Sequence, residues 1–407
     1  MSDPPLQTAR PPTEPQGTDA PRGTPLEAFL VALRLGTTSF GGPVAHIGYF
    51  RDEYVRRRRW VDDQTFTHLV ALCQVIPGPA SSQFGLCMGL LRAGPWGALA
   101  AWIGFTLPSA LLLFFAERTL SGLGDDASRL VRGLELAAFA VVLQAVIAMG
   151  RTMVRTRWQF LVAAATFAGI LLQPGSAAQT AILLAAALAG WFLPEAGAIA
   201  ARLPTESPVR PRRGMLLLLL FGACSAIVAT FPAWTENVLL RAVAVFWRAG
   251  SLVFGGGHVV LPLLEQDLVG GGLVSGSTFL AGYGAAQAVP GPLFTVASFL
   301  GSAIGGWSGA VLCTLAVFLP GSLLVLGVLP FWNRLRDLPR APRVLSGIQA
   351  GVVGLLAAAL VHPLGTSALA SWPDALVAAA LSAALLAFRT PPLLIVAGGV
   401  LASLLLG

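Results

Sequence analysis

The chain has 407 residues, of which 55% are hydrophobic and 11% are charged, and its mean hydropathy is +0.75. Soluble domains run near a quarter charged, so a soluble globular enzyme is excluded, and a disordered chain is excluded because it requires low hydrophobicity. A β-barrel would alternate polar and apolar residues in segments of roughly ten; the apolar runs here are longer and do not alternate, so the fold class is all-α, a polytopic helical membrane protein.

Residues 1–25 are polar and Pro-rich and lack the apolar core of a signal peptide, which predicts a disordered N-terminal tail. Apolar segments follow at about 26–50, 66–91, 94–116, 134–150, 158–173, 177–193, 215–232, 237–262, 278–302, 306–329, 345–362, 374–388 and 391–407. Four of them are interrupted, by Gly41-Gly42-Pro43, Pro77-Gly78-Pro79, Gly255-Gly256-Gly257 and Pro290-Gly291-Pro292. A helix does not run undisturbed through such triplets.

The interruptions expose an internal repeat. FGGPVAH at 40–46 matches FGGGHVV at 254–260, LCQVIPGP at 72–79 matches AAQAVPGP at 285–292, and GFTLPSA at 104–110 matches AVFLPGS at 316–322. Phe40 thus maps onto Phe254, Pro77 onto Pro290 and Pro108 onto Pro320, and the spacing between motif and copy drifts by a single position from each motif to the next. The chain therefore reads as two homologous halves, 26–193 and 237–407, joined by a linker at 194–236 that carries its own transmembrane helix.

All 26 basic residues are Arg, and their distribution sets the topology. Loop 51–63 holds five Arg, whereas its counterpart 263–277 holds none; loop 330–343 is basic, whereas its counterpart 117–132 is balanced. A basic loop that changes place between halves marks inverted-topology repeats. If the four interrupted segments dip in and return, each half has four crossings, the 215–232 helix inverts the second half, and every basic loop faces the cytoplasm together with the N-terminus. The net charge of +7 thus reads as topology and not as nucleic-acid binding. The four cysteines lack metal or disulfide spacing, and no metal or cofactor is expected.

The candidate site follows from the breaks. Each exposes backbone N–H groups at the start of a half-helix, where the dipole adds about half a positive charge. Pro79 and Pro292 suit a first helical position. Arg34 and Arg248 each lie six residues before the Phe of an FGG motif, so the repeat puts one intramembrane cation in each half. Such a cation persists where it meets an anion, an acid, a water-filled cavity or the interface. Gln74 and Gln287 precede the PGP motifs, and Ser81, Ser82 and Thr295 follow them, as uncharged donors. Together with Gly41, Gly42, Gly255, Gly256, Pro77, Gly78, Pro290 and Gly291, these residues form the expected substrate site. His46 and His258 near the FGG breaks are read as hydrogen-bonding side chains, and Trp60 and Trp332 as interface anchors.

These motifs resemble the chromate ion transporter family in its long, two-repeat form, on FGGPVAHIGYF (40–50), LCQVIPGPASSQ (72–83), FGGGHVVLPLL (254–264), AAQAVPGPLFT (285–295) and FLPG (318–321). The resemblance implies a multi-pass inner-membrane protein that exports chromate, giving chromate resistance, with sulfate as a close analogue and a proton or counter-anion as coupling partner; a homodimer is admitted. One departure stands out: WVDDQTF at 60–66 becomes LVSGSTF at 273–279, losing the Trp and both acids. The rival readings are an anion channel, a transporter of another tetrahedral oxyanion, an intramembrane hydrolase using Ser81 or Ser82 with a histidine, and a scaffold. No P-loop supports ATP hydrolysis.

Overall fold

The computed structural model describes residues 23–122, 127–173, 175–192, 207–254, 257, 260–338, 340–388 and 390–406. Most of the expected tail, the start of the linker, and Gly255, Gly256 and His258 lie outside the described residues. The Thr24 side chain caps α1 (Pro25–Thr38) by accepting from Glu27 N–H, and Pro25 opens the helix.

Helix α1 stops because Gly41 and Gly42 take φ of 93° and 75°, a left-handed region that a β-carbon disfavours. Helix α2 (Gly42–Phe50) then runs on as π-helix through Arg51–Arg57, so most of the expected 51–63 loop is helical. Helix α3 (Asp63–Val75) is capped by Asp62 and ends before Ile76-Pro77-Gly78-Pro79. Helix α4 (Ala80–Gly122) contains a sharp return at Ala93 and Gly94, where φ/ψ leave the helical region. There the two arms touch so closely that a β-carbon on Gly89 would lie 2.2 Å from Gly97 O. The second half repeats this in α12 (Val296–Val328), with a return at Gly305-Gly306 and Gly301 set 2.3 Å from Gly309 O by the same measure.

Contacts at the hairpin ends show that the interrupted segments double back. Gly23 N–H donates to Arg92 O at 3.0 Å, and Glu27 pairs with Arg92 at 3.1 Å and Arg58 at 3.7 Å. The start of α1, the end of the π stretch and the end of the short arm of α4 thus meet at one end of the molecule. A buried cluster at that end contains Phe50, Tyr54, Val61, Val209, Leu329 and Trp332. Trp332 is therefore a core residue here and not an exposed anchor, whereas Trp60 sits under the guanidinium groups of Arg58 and Arg92.

The chain continues through α5 (Ala127–Met153), α6 (Arg157–Leu172), α7 (Ser176–Trp191) and α8 (Pro211–Trp234). The second half opens with α9 (Val238–Leu252), α10 (Val260–Leu268) and α11 (Gly276–Ala288) before α12. Short α13 (Trp332–Arg336) leads to α14 (Ala341–Ala359), the turn α15 (Thr366–Ala368), α16 (Trp372–Phe388) and α17 (Pro392–Leu406). Among the described residues, five helices are long and apolar enough to cross a membrane and four shorter apolar helices accompany them. They are the long arm of α4 with α5, α6 and α7; α8; and the long arm of α12 with α14, α16 and α17.

The long arms of α4 and α12 are repeat-equivalent and pack antiparallel. Trp102 meets Phe318 with ring centroids 5.8 Å apart and Phe114 meets Trp307 at 5.0 Å, while Ser298, on the short arm of α12, donates from Oγ to Ala110 O at 2.8 Å. As one arm advances the other recedes, so the two halves are mounted in opposite senses. Small residues allow close approach elsewhere too: Gly190 of α7 lies against Gly347 of α14.

Candidate functional site

Among the described residues, the two PGP turns and the residues just before the two FGG motifs meet at the junction of the halves. Gly78 N–H donates to Val253 O at 2.8 Å, and its repeat-equivalent Gly291 N–H donates to Ser39 O at 2.9 Å. Val253 and Ser39 are themselves repeat-equivalent, since each stands directly before the Phe of an FGG motif. Each PGP turn is thereby pinned to the FGG break of the other half. Glycine is required at both turns: φ is 128° at Gly78 and 103° at Gly291. A β-carbon on Gly78 would meet Gly321 Cα at 2.7 Å, and one on Gly291 would meet Ser109 Oγ at 2.9 Å.

Two side chains close the first-half turn. His46 Nδ1 lies 2.9 Å from Ser81 Oγ, and Nε2 lies 3.2 Å from Ser39 O. A carbonyl can only accept, so Nε2 carries the proton and Nδ1 accepts from the Ser81 hydroxyl. His46 therefore ties the FGG break to the first turn of α4, as its hydrogen-bonding reading predicted. Gln83, which the motif reading passed over, donates from Nε2 to Pro77 O at 2.8 Å and Gly321 O at 3.0 Å.

Other buried polar atoms at the junction have no hydrogen-bond partner within the described protein. They are Ser39 Oγ, Ser82 Oγ, Gln83 Oε1 and Gln287 Nε2. A buried polar group left unpaired costs about 1–3 kcal/mol, so several in one place call for a polar solute or water. The first-turn N–H groups of Ala80, Ser81 and Ser82 add donors, because the first turn of a helix has no intrahelical acceptors.

The expected site residues divide as follows. Pro77, Gly78, Pro79, Ser81, Ser82, Pro290, Gly291, Pro292 and Thr295 lie on the two PGP turns or on the first turns after them. Thr295 Oγ1 donates to Pro292 O at 2.7 Å and closes its own turn. Gln74 is exposed on α3, and Gln287 lies on α11 with its Nε2 unpaired. Gly41 and Gly42 form the α1–α2 turn. Thr37, Thr38 and Ser251 bond the backbone of their own helices.

Each arginine meets an acid of its own hairpin. Arg34 lies 3.8 Å from Glu53, and Arg248 forms an ion pair with Asp267. Glu53 and Asp267 are repeat-equivalent on the alignment that pairs Phe40 with Phe254. Both acids are nearly buried (8% and 12% exposed side chains), whereas both arginines are about half exposed (55% and 41%).

A groove of about 800 Å³, almost wholly apolar, runs from Trp191 and Arg340 past Trp332 to Val75 and Ile76, the residues just before the first PGP turn. It links the end of the molecule that carries Arg340 to the break.

The family model described as "Chromate transporter" matches residues 26–191 and again 240–404, one match on each half. The chain belongs to the chromate transporter family. It is 30% identical over 356 residues to the chromate transport protein of Pseudomonas aeruginosa, covering 82% of this chain and 80% of that protein. It is 27% identical to the chromate transport protein of Cupriavidus metallidurans, covering 95% and 94%, and 27% identical to a probable chromate transport protein of Synechococcus elongatus, covering 85% and 86%. No solved structure matches the chain.

The departure from the repeat at 60–66 now has a physical account. Asp62 Oδ1 accepts from Thr65 N–H at 2.7 Å and caps α3, while Ser275, its equivalent in the second half, accepts from Thr278 N–H at 3.1 Å and caps α11. Serine replaces aspartate in the same capping task. Asp63 pairs with Arg51 at 2.8 Å, a partner that the second half lacks in sequence, where Glu265 stands at the place equivalent to Arg51.

Proposed function

We propose that this chain is a secondary transporter that carries chromate out of the cell across a bacterial inner membrane, with sulfate as a competing substrate and the N-terminus in the cytoplasm. The two repeats, 26–193 and 237–407, act as the two moving bodies, and the linker helix α8 inverts the second. A tetrahedral dianion is costly to desolvate and needs fixed positive potential and donors in its place. The PGP and FGG breaks supply helix N-termini; Ser82 and Gln287 supply donors; Arg34 and Arg248 supply the cations.

One observation carries this reading: reciprocal bonding of the breaks across the two halves, with unpaired buried polar atoms gathered at the same junction. Non-helical backbone at membrane depth is tolerated only where it is buried in protein or lines a cavity. Opposed repeats meeting there can open the site to one side at a time. A hydrolase is less well supported, because the Ser81–His46 pair is spent on Ser39 O and not on an orienting carboxylate.

Radiolabelled chromate flux in proteoliposomes tests the proposal. The expected result is saturable flux, inhibited by sulfate, that accumulates chromate against its gradient when an ion gradient is imposed. Strictly downhill, non-saturating flux would favour the channel, and no flux would overturn the reading.

A further inference from the structure

The equivalent pairs Arg34–Glu53 and Arg248–Asp267 differ in one respect that bears on how substrate binding is coupled. Glu53 also pairs with Arg57 at 3.2 Å and with Arg58 at 2.6 Å. Asp267 pairs with Arg248 alone among the described residues. An entering dianion that takes Arg34 leaves Glu53 with two cations. One that takes Arg248 leaves Asp267 as a nearly buried carboxylate with none.

Among the described residues, the surroundings of Asp267 offer no replacement. Helix α9 contributes Arg248 and, at its start, Arg241; α10 itself contributes Glu265, a like charge. Helix α11 contributes Tyr283 and no cation. Helix α7 has no titratable residue, and α14 has Arg343, whose carbonyl lies against Gly190 at the end of α7. An isolated buried carboxylate is expelled from its charged form by desolvation and neutralises by taking up a proton.

Resting on the transport reading above, we infer that Asp267 is the coupling carboxylate: substrate anion displaces it from Arg248, and the freed carboxylate binds one proton from the aqueous phase on the same side. Anion and proton then occupy the protein together and leave together, and Arg248 and Asp267 re-form their pair in the empty carrier. The pair is neutral in the empty carrier and the loaded site carries one net negative charge, because the dianion replaces the carboxylate on Arg248 and the proton neutralises the carboxylate that is released. Outward passage of a dianion with one proton still carries negative charge outward, so an inside-negative potential drives it.

The test uses the full chain. With the purified wild-type protein in weak buffer containing a pH indicator, at a pH where chromate is fully dianionic, chromate binding is expected to take up about one proton per site. Asp267→Asn is expected to take up none, and Asp267→Glu to restore uptake. In proteoliposomes, each pH unit of imposed gradient is worth about a tenfold accumulation per coupled proton. Wild type and Glu265→Gln are expected to show that dependence, and Asp267→Asn to lose it. Chromate binding by the wild type without proton uptake, or gradient-driven accumulation by Asp267→Asn, overturns the inference. If the wild type moves no chromate at all, it is the transport reading that has failed. Should Asp267→Asn not reach the membrane, proton uptake by the wild type and by Asp267→Glu decides.

Discussion

In the first half, Glu53 is gripped by Arg34, Arg57 and Arg58, and Asp62 caps α3; in the second, Asp267 meets Arg248 and Ser275 caps α11. Among the described residues, the PGP turn, the return and the long arm recur in both halves at a nearly constant spacing. The charges do not. The contrast separates two demands. The breaks and close glycine contacts must repeat, because each half fills the space left by the other. The charges can diverge, because orientation in the membrane requires the halves to carry unlike numbers of arginines at equivalent places.

The largest expected effect breaks the backbone symmetry. Gly78→Ala places a β-carbon 2.7 Å from Gly321 Cα, which cannot move aside, at a φ of 128°. Gly291→Ala has the same kind of strain, but its nearest neighbour is the movable Ser109 hydroxyl. Gly78→Ala is expected to cost about 3 kcal/mol or more and Gly291→Ala about 1–2 kcal/mol. Thermal unfolding of the purified variants checks both, and equal losses would mean that the two turns are equally tight.

A smaller difference sharpens the comparison of charges. Arg248→Gln strands Asp267 and is expected to lower stability by about 3 kcal/mol. Arg34→Gln leaves Glu53 with Arg57 and Arg58 and is expected to cost about 1 kcal/mol or less. Denaturation of each variant beside wild type reads the difference, and Arg34→Gln as the more damaging change would contradict it. Both variants are expected to lose chromate flux.

Much of this was legible in the sequence because glycine and proline are needed for specific backbone geometry. FGG and PGP marked the breaks, their spacing marked the repeat, and the distribution of Arg marked which segments return. The ion pairs were less visible. Arg34 and Glu53 lie on either side of the FGG break and meet only once α2 has doubled back as π-helix, a form that no propensity announces. Yet Glu53 and Asp267 keep the same register to their FGG motifs as Arg34 and Arg248 do, and following acids as well as arginines through the repeat would have singled them out. Gln83 could not be found that way, because Val296 stands at its equivalent place in the second half. Trp332 looked like an interface anchor beside basic residues, but the antiparallel packing of α12 carries it into the buried cluster that holds Tyr54.

The opposed mounting of the halves is tested most directly by membrane-impermeant thiol labelling of single cysteines in a background without the four native ones. Arg51→Cys and Gly271→Cys both replace exposed residues at the open ends of equivalent hairpins. The account predicts that a reagent added to intact cells labels the cysteine at 271 and leaves the one at 51 untouched until the membrane is opened. Labelling of both from one side would contradict it.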